Sequence, residues 1–190
     1  IGSLKGPRHG GANAKFADML DHIEENVKDW HNDDEIASYL ERIVKREVGD
    51  KSGLVYGMGH AVYTKSDPRA VILKKYAKKL CEEKGFGDEF ELLERIERLT
   101  PEVFHRVKGS GKTLCANIDF YSGIVYKTLG IPRELFTPLF AVARCAGWSA
   151  HRIEETMTGK RIIRPAYKST FSHELSYIPM ADRDKFYGKD

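Results

Sequence analysis

The stretch Gly57-Met58-Gly59-His60-Ala61-Val62-Tyr63-Thr64-Lys65-Ser66-Asp67-Pro68-Arg69 decides how the rest of the chain is read. It sets a glycine-flanked histidine on a turn and then opens a helix with strong start signals. Asp67 is a good N-cap, Pro68 suits the first helical position, and Arg69 falls inside the first turn. Gly57 and Gly59 permit backbone angles and close approaches that a Cβ forbids. The turn therefore offers main chain for a ligand to lie against, with His60 pointing at it. Taken alone, it reads equally well as a tight turn carrying a solvated histidine.

Outward from the turn, the periodicity is helical. Upstream, Phe16, Met19, Leu20, Ile23, Val27 and Trp30 recur at helix spacing from about Asn13. Asn32 and Glu35 form a capping-box pattern that opens a second amphipathic helix, with Ile36, Tyr39, Leu40, Ile43, Val44 and Val48 on one face and Gly49 as its expected stop. Downstream, the helix from Pro68 is expected to bury Leu73, Tyr76, Ala77 and Leu80 and to end near Gly85. The next helix carries Phe90, Leu93, Ile96 and Leu99, and Pro101 is expected to restart or kink it before Val103, Phe104 and Val107. Lys108 to Lys112 reads as a flexible basic loop. Asp119 then precedes Phe120, Tyr121, Ile124, Val125 and Leu129, with Gly130 and Pro132 as a stop signal. A last helix, about Pro138 to Met157, is apolar on nearly every side in its first half, so burial is expected there. From Arg161 the periodicity is lost, and Arg161 to Tyr167 reads as extended. With no convincing run of alternating strands, the class is all-α.

The 190 residues, 41% hydrophobic and 31% charged, suit a folded domain with a real core. A net charge of +3 mildly favours anionic ligands and is too small to argue for nucleic acid. Cys81, Cys115 and Cys145 cannot all pair within the chain, which points to a reduced, cytoplasmic compartment. The longest apolar run, around Leu135 to Trp148, is interrupted by Thr137, Pro138 and Arg144, so no membrane span is expected. Nor does the start of the chain read as a signal peptide.

Further stretches combine glycine with a titratable residue: Gly6-Pro-Arg-His9-Gly-Gly-Ala-Asn13 and Asn117-Ile-Asp119-Phe-Tyr-Ser-Gly123. With the opening turn, and with Phe140-Ala-Val-Ala-Arg144-Cys-Ala-Gly-Trp148 downstream, they follow the order and spacing of citrate synthases, which condense acetyl-CoA with oxaloacetate. The chain resembles that family over essentially its whole length while covering only the C-terminal half of the family pattern. The resemblance implies a multi-helical all-α fold: residues 1–8 a truncated lead-in, 9–124 the small CoA-binding domain, and 125–190 the C-terminal part of the large domain.

Taking a proton from a thioester methyl group needs a carboxylate base and a hydrogen-bond donor aimed at the oxygen where charge develops. The resemblance implies Asp119 as the base, His9 as the donor, and His60 as the group that polarises and protonates the ketone carbonyl. Spacing alone does not separate the two histidines. The position of His9 just ahead of a helix disfavours imidazolium and suits a neutral N–H donor. By itself Asp119 reads first as an ordinary N-cap, and His9 as a turn residue. His22, His31, His105, His151 and His173 read as surface or core residues, and no His or Cys pair has metal-ligand spacing.

Arg144 stands in the most apolar helix. Burying an unpaired guanidinium is costly, so a carboxylate partner or a bound anion is expected beside it. Its fork-shaped donor pair suits a dicarboxylic substrate. The resemblance groups it with Arg69 and Arg164 as the carboxylate-binding arginines, with Arg164 reaching into the neighbouring subunit of a homodimer. It also implies acetyl-CoA as cosubstrate with no permanently bound cofactor. In that reading, main chain of Gly57, Met58 and Gly59 receives the adenine, Lys112 contacts the cofactor and Lys65 contacts a phosphate, while Thr64 stands where relatives often carry a basic residue. A further substrate histidine that the family carries upstream has no counterpart here. The chain is therefore expected to be a piece of a longer enzyme, inactive alone, with apolar surface on the Pro138 helix favouring self-association. A 2-methylcitrate synthase using propionyl-CoA and a non-catalytic helical interaction domain are the alternative readings.

Overall fold

The computed structural model describes residues 11–109, 113–159 and 179. In chain order the helices are α1 (Ala12–Asn26), α2 (Asp33–Val44), α3 (Pro68–Lys84), α4 (Gly87–Lys108), α5 (Ile118–Thr128) and α6 (Phe136–Thr158), with a 3-10 turn at Arg133–Leu135 leading into the last. Among the described residues the only strand-like pairing is an isolated antiparallel bridge between Met58 and Ala116, so the fold is all-α. The chain divides into two compact units, Ile1–Trp148 and Ser149–Asp190.

In the first unit α5 is the central helix, packed against both α3 and α1, while α2 packs on α4. The periodic residues of the sequence meet as expected: Phe16, Leu20 and Ile23 of α1, Ile36 and Leu40 of α2, Leu93 and Ile96 of α4, and Phe120, Tyr121 and Ile124 of α5 form one buried cluster. Gly123 makes the α1–α5 contact possible, because a Cβ there would lie 2.6 Å from the Phe16 ring. Asn32 caps α2, its Oδ1 accepting from the main-chain N–H groups of Asp34 and Glu35. Glu35 reaches back to the N–H groups of Lys28 and Asp29, further upstream than a capping box requires.

Several elements depart from the sequence expectation. α2 stops at Val44, not at Gly49. Arg46 takes the left-handed conformation (φ 68°), and the N–H groups of Arg46 and Glu47 close onto the carbonyls of Ile43 and Arg42, a Schellman ending without glycine. α3 buries Ala70, Ala77 and Cys81, while Tyr76 is 70% exposed. The helix turns its small residues to α5, where Cys81 Sγ lies 3.5 Å from Thr128 Oγ1, and Tyr76 points off that face. α4 is a single helix through Pro101, and the Thr100 hydroxyl in its interior donates back to the Ile96 carbonyl at 2.6 Å.

The largest departure is the first half of α6, where burial is expected from the sequence: Phe136 is the only buried residue of the helix. Val142, Trp148, Ile153 and Met157 are all exposed. Composition marks a helix as wanting cover, but burial depends on which elements the chain supplies to cover it. Arg161 to Tyr167, expected to be extended, lie outside the described residues.

Candidate active site

The glycine turn is fastened to the segment that leads into α5. The Gly59 N–H donates to the Cys115 carbonyl at 2.7 Å, and the Asn117 N–H donates to the Gly57 carbonyl at 2.8 Å. The Asn117 side chain adds a further bond, its Nδ2 donating to the Gly59 carbonyl at 2.8 Å. Gly57 has φ 79°, and a Cβ on it would stand 2.9 Å from the Phe120 Cα. Glycine is thus required here by both conformation and contact. Phe120 fills the space where a Cβ on Gly57 would stand.

His60 leaves this turn with its ring orientation defined. The N–H groups of Val62 and Tyr63 both point at Nδ1, at 3.0 and 3.2 Å. Two donors leave no room for a proton on Nδ1, so the neutral ring carries its proton on Nε2. Arg69 Nη2 stands 3.5 Å from that Nε2. Donors converge there, and an acceptor oxygen would satisfy both. The Arg69 guanidinium is held by Asp67 in a two-point pair, Nε to Oδ1 at 3.0 Å and Nη2 to Oδ2 at 2.8 Å, and it lies over the Tyr63 ring. Asp67, 1% exposed, also caps α3 through the Arg69 N–H, as its position in the sequence implied.

Asp119 is the second residue of α5, and the cap is Asn117, whose Oδ1 accepts the Asp119 N–H at 2.9 Å. Burial raises the Asp119 carboxyl above its usual range, against the opposing pull of the Asn13 amide and the charges of Arg69, Arg144 and His60. Asp67 behaves the opposite way: its side-chain bonds to Arg69 hold its carboxyl below the usual range. Two carboxyls that act on the same guanidinium are thus pushed in opposite directions by their environments. Asn13, 2% exposed, donates to Ser122 Oγ at 2.5 Å and toward the Asp119 carbonyl at 3.4 Å, and its Oδ1 has no partner among the described residues.

His60, Arg69 and Asp119 are therefore brought together. His9, Lys112 and Arg164 lie outside the described residues. Lys65 is exposed beside the turn. The burial expected of Arg144 is corrected: it is exposed, its Nη1 donates to the Phe140 carbonyl at 3.3 Å, its guanidinium lies over the Phe140 ring, and among the described residues no carboxylate forms an ion pair with it, although its charge acts on Asp119. A hydrated guanidinium needs no partner, so the burial argument lapses with the burial of α6. Asn13 and Asn117 are the site residues that sequence reasoning passed over; both were visible only as members of glycine-rich motifs. A separate groove of about 660 Å³ between α3 and α4 shares no residue with this cluster, and its Lys74 is already paired with Glu94 and Glu97.

Comparison with known proteins identifies the family. Residues 1–166 match the family model described as citrate synthase, C-terminal domain. A citrate synthase of Synechocystis is 39% identical over 185 residues, covering 96% of this chain and 42% of the relative. One from Acidithiobacillus ferridurans is 38% identical, covering 96% of this chain and 43% of the relative. Among solved structures, citrate synthase of Thermoplasma acidophilum, determined as a ternary complex with carboxymethyl coenzyme A and oxaloacetate, superposes with a TM-score of 0.63 at 34% identity, covering 96% of this chain and 44% of that one. The chain thus spans less than half the length of each of these relatives. With a helical fold, an ordered set of motifs and a profile match that agree, the chain belongs to the citrate synthase family.

Proposed function

We propose that this chain supplies the condensing half of a citrate synthase, acting on acetyl-CoA and oxaloacetate within a protein of the length of its relatives. Residues 9–124 form its small, CoA-binding part, and residues 125–190 contribute to the large domain. The observation that carries the reading is the fastening of the His60 turn to the N-terminus of the helix that bears Asp119. It sets a histidine N–H donor and a carboxylate of raised basicity at one joint.

In this mechanism Asp119 takes a proton from the methyl carbon of acetyl-CoA while His9 donates a hydrogen bond to the thioester oxygen. The resulting enol carbon attacks the ketone carbon of oxaloacetate, and the ketone oxygen takes a proton through His60 Nε2. Water then cleaves the citryl thioester to citrate and CoA. The raised carboxyl of Asp119 makes it the stronger base, and the Nε2–H tautomer of His60 gives it the proton to donate. Arg69 beside His60 supplies charge for a substrate carboxylate, with Arg144 and Arg164 as its partners in that task. Gly57, Met58 and Gly59 receive the adenine, and Lys65 and Lys112 contact the cofactor. The exposed apolar residues of α6 support a homodimer, and three free cysteines suit a reduced, cytoplasmic setting.

The experiment is thiol release from acetyl-CoA in the presence of oxaloacetate, run on this chain alone and on the chain joined to the N-terminal half of a family member. The joined protein is expected to turn over and the isolated chain to make little or no citrate. A joined protein that folds, binds oxaloacetate and releases no thiol would refute the assignment.

A further inference from the structure

We infer that Asn117 is the positioning residue that sets where His60 stands relative to Asp119; this rests on reading those two as the reacting pair. One amide side chain ties both sides of the joint. Its Oδ1 accepts the Asp119 N–H at 2.9 Å, and its Nδ2 donates to the carbonyl of Gly59, the residue before His60, at 2.8 Å. Its own N–H donates to the Gly57 carbonyl at 2.8 Å, so the glycine turn is held from main chain and side chain together. The partners also fix the amide orientation, since the flipped form would set oxygen against the Gly59 carbonyl and NH2 against the Asp119 N–H.

Helix capping alone does not call for this residue. Aspartate and serine cap as well as asparagine, yet neither carries an acceptor for the Asp119 N–H and an amide donor for the Gly59 carbonyl at once. Asn32 is the matched case: it caps α2 by the same Oδ1 geometry, at 3.0 and 3.2 Å, and takes no part in the His60 turn. What Asn117 adds is the second tie, across 58 residues of chain, to the segment that carries His60. A reacting pair misplaced by about 1 Å loses about 10²-fold in rate, so a tie between the two residues' own backbones governs the chemistry directly.

The test uses Asn117→Asp and Asn117→Ser, both of which keep a capping acceptor and remove the Nδ2–H donor. Each is assayed by thiol release in the joined protein described above, with Asp119→Asn in parallel, and melting temperature is followed by calorimetry. On the chain itself, 15N-resolved NMR reads the His60 tautomer. Both Asn117 variants are expected to lose about 10²-fold in kcat, with a much smaller change in KM for oxaloacetate and a melting temperature near that of the parent. The Nε2–H tautomer of His60, set by the Val62 and Tyr63 N–H groups, is expected to persist in both, so that the loss in kcat reports position and not proton placement. Parent-like kcat in both would reduce Asn117 to a helix cap and overturn the inference. Loss in the aspartate variant alone would assign the effect to added charge, which also overturns it. Continued thiol release by Asp119→Asn would instead overturn the underlying pair; silence there beside active Asn117 variants would defeat only the positioning role.

Discussion

Asp67 and Asp119 lie near the same arginine, yet the arginine dominates one and burial the other. Because the folded state raises the Asp119 carboxyl, its neutral form favours folding. That contribution is present below the usual 3.8 and is lost as pH rises through the raised value. Asp119→Asn is therefore expected to melt no lower than the parent at pH 7 by calorimetry, and a clear drop would contradict the burial argument. Asp67 carries the opposite sign: its lowered carboxyl stabilises the fold above 3.8, and that contribution is lost as pH falls through the lowered value. Asp67→Ala removes a cap and should cost about 1–2 kcal/mol by urea unfolding at pH 7. Of these residues, the cap at Asp67 was legible in the sequence because it acts on its immediate neighbours. Asn13 was not, since its partner Ser122 is 109 residues away. Arg144 was misjudged because the argument assumed a burial that the helix does not have.

At the scale of elements, the glycine turn and α5 behave as one piece, joined by main-chain bonds on both sides of Met58 and Ala116. Gly57→Ala meets a left-handed φ of 79° and a contact 2.9 Å from backbone at Phe120. It should cost about 2 kcal/mol or more, read as a lowered urea midpoint with unchanged slope, and a neutral effect would contradict the close approach. The apolar period identified the helices and most of the core, because Phe16, Ile36, Ile96 and Phe120 recur at helix spacing and are buried in one cluster. It found Ala77 but failed where other small residues set the contact: α3 also presents Ala70 and Cys81, which carry little hydrophobic signal, and turns Tyr76 outward. It also missed the end of α2, because an arginine took the left-handed position that glycine usually marks.

At the scale of the whole molecule, α6 exposes Val142, Trp148, Ile153 and Met157. Exposed apolar residues on one helix favour association, as the sequence led one to expect of this helix once uncovered. The isolated chain should sediment as a dimer or larger species, and Val142→Asp, at a site 68% exposed, should shift it toward monomer without lowering its melting temperature. A parent chain that is monomeric at high concentration would contradict this. Whether Asp119 is the base for a condensation whose other proton passes through His60 is read from thiol release from acetyl-CoA with oxaloacetate by the joined protein and its Asp119→Asn variant. Removing that base is expected to lower thiol release roughly 10²–10⁴-fold while oxaloacetate still binds. Near-parental thiol release by the variant would contradict that role.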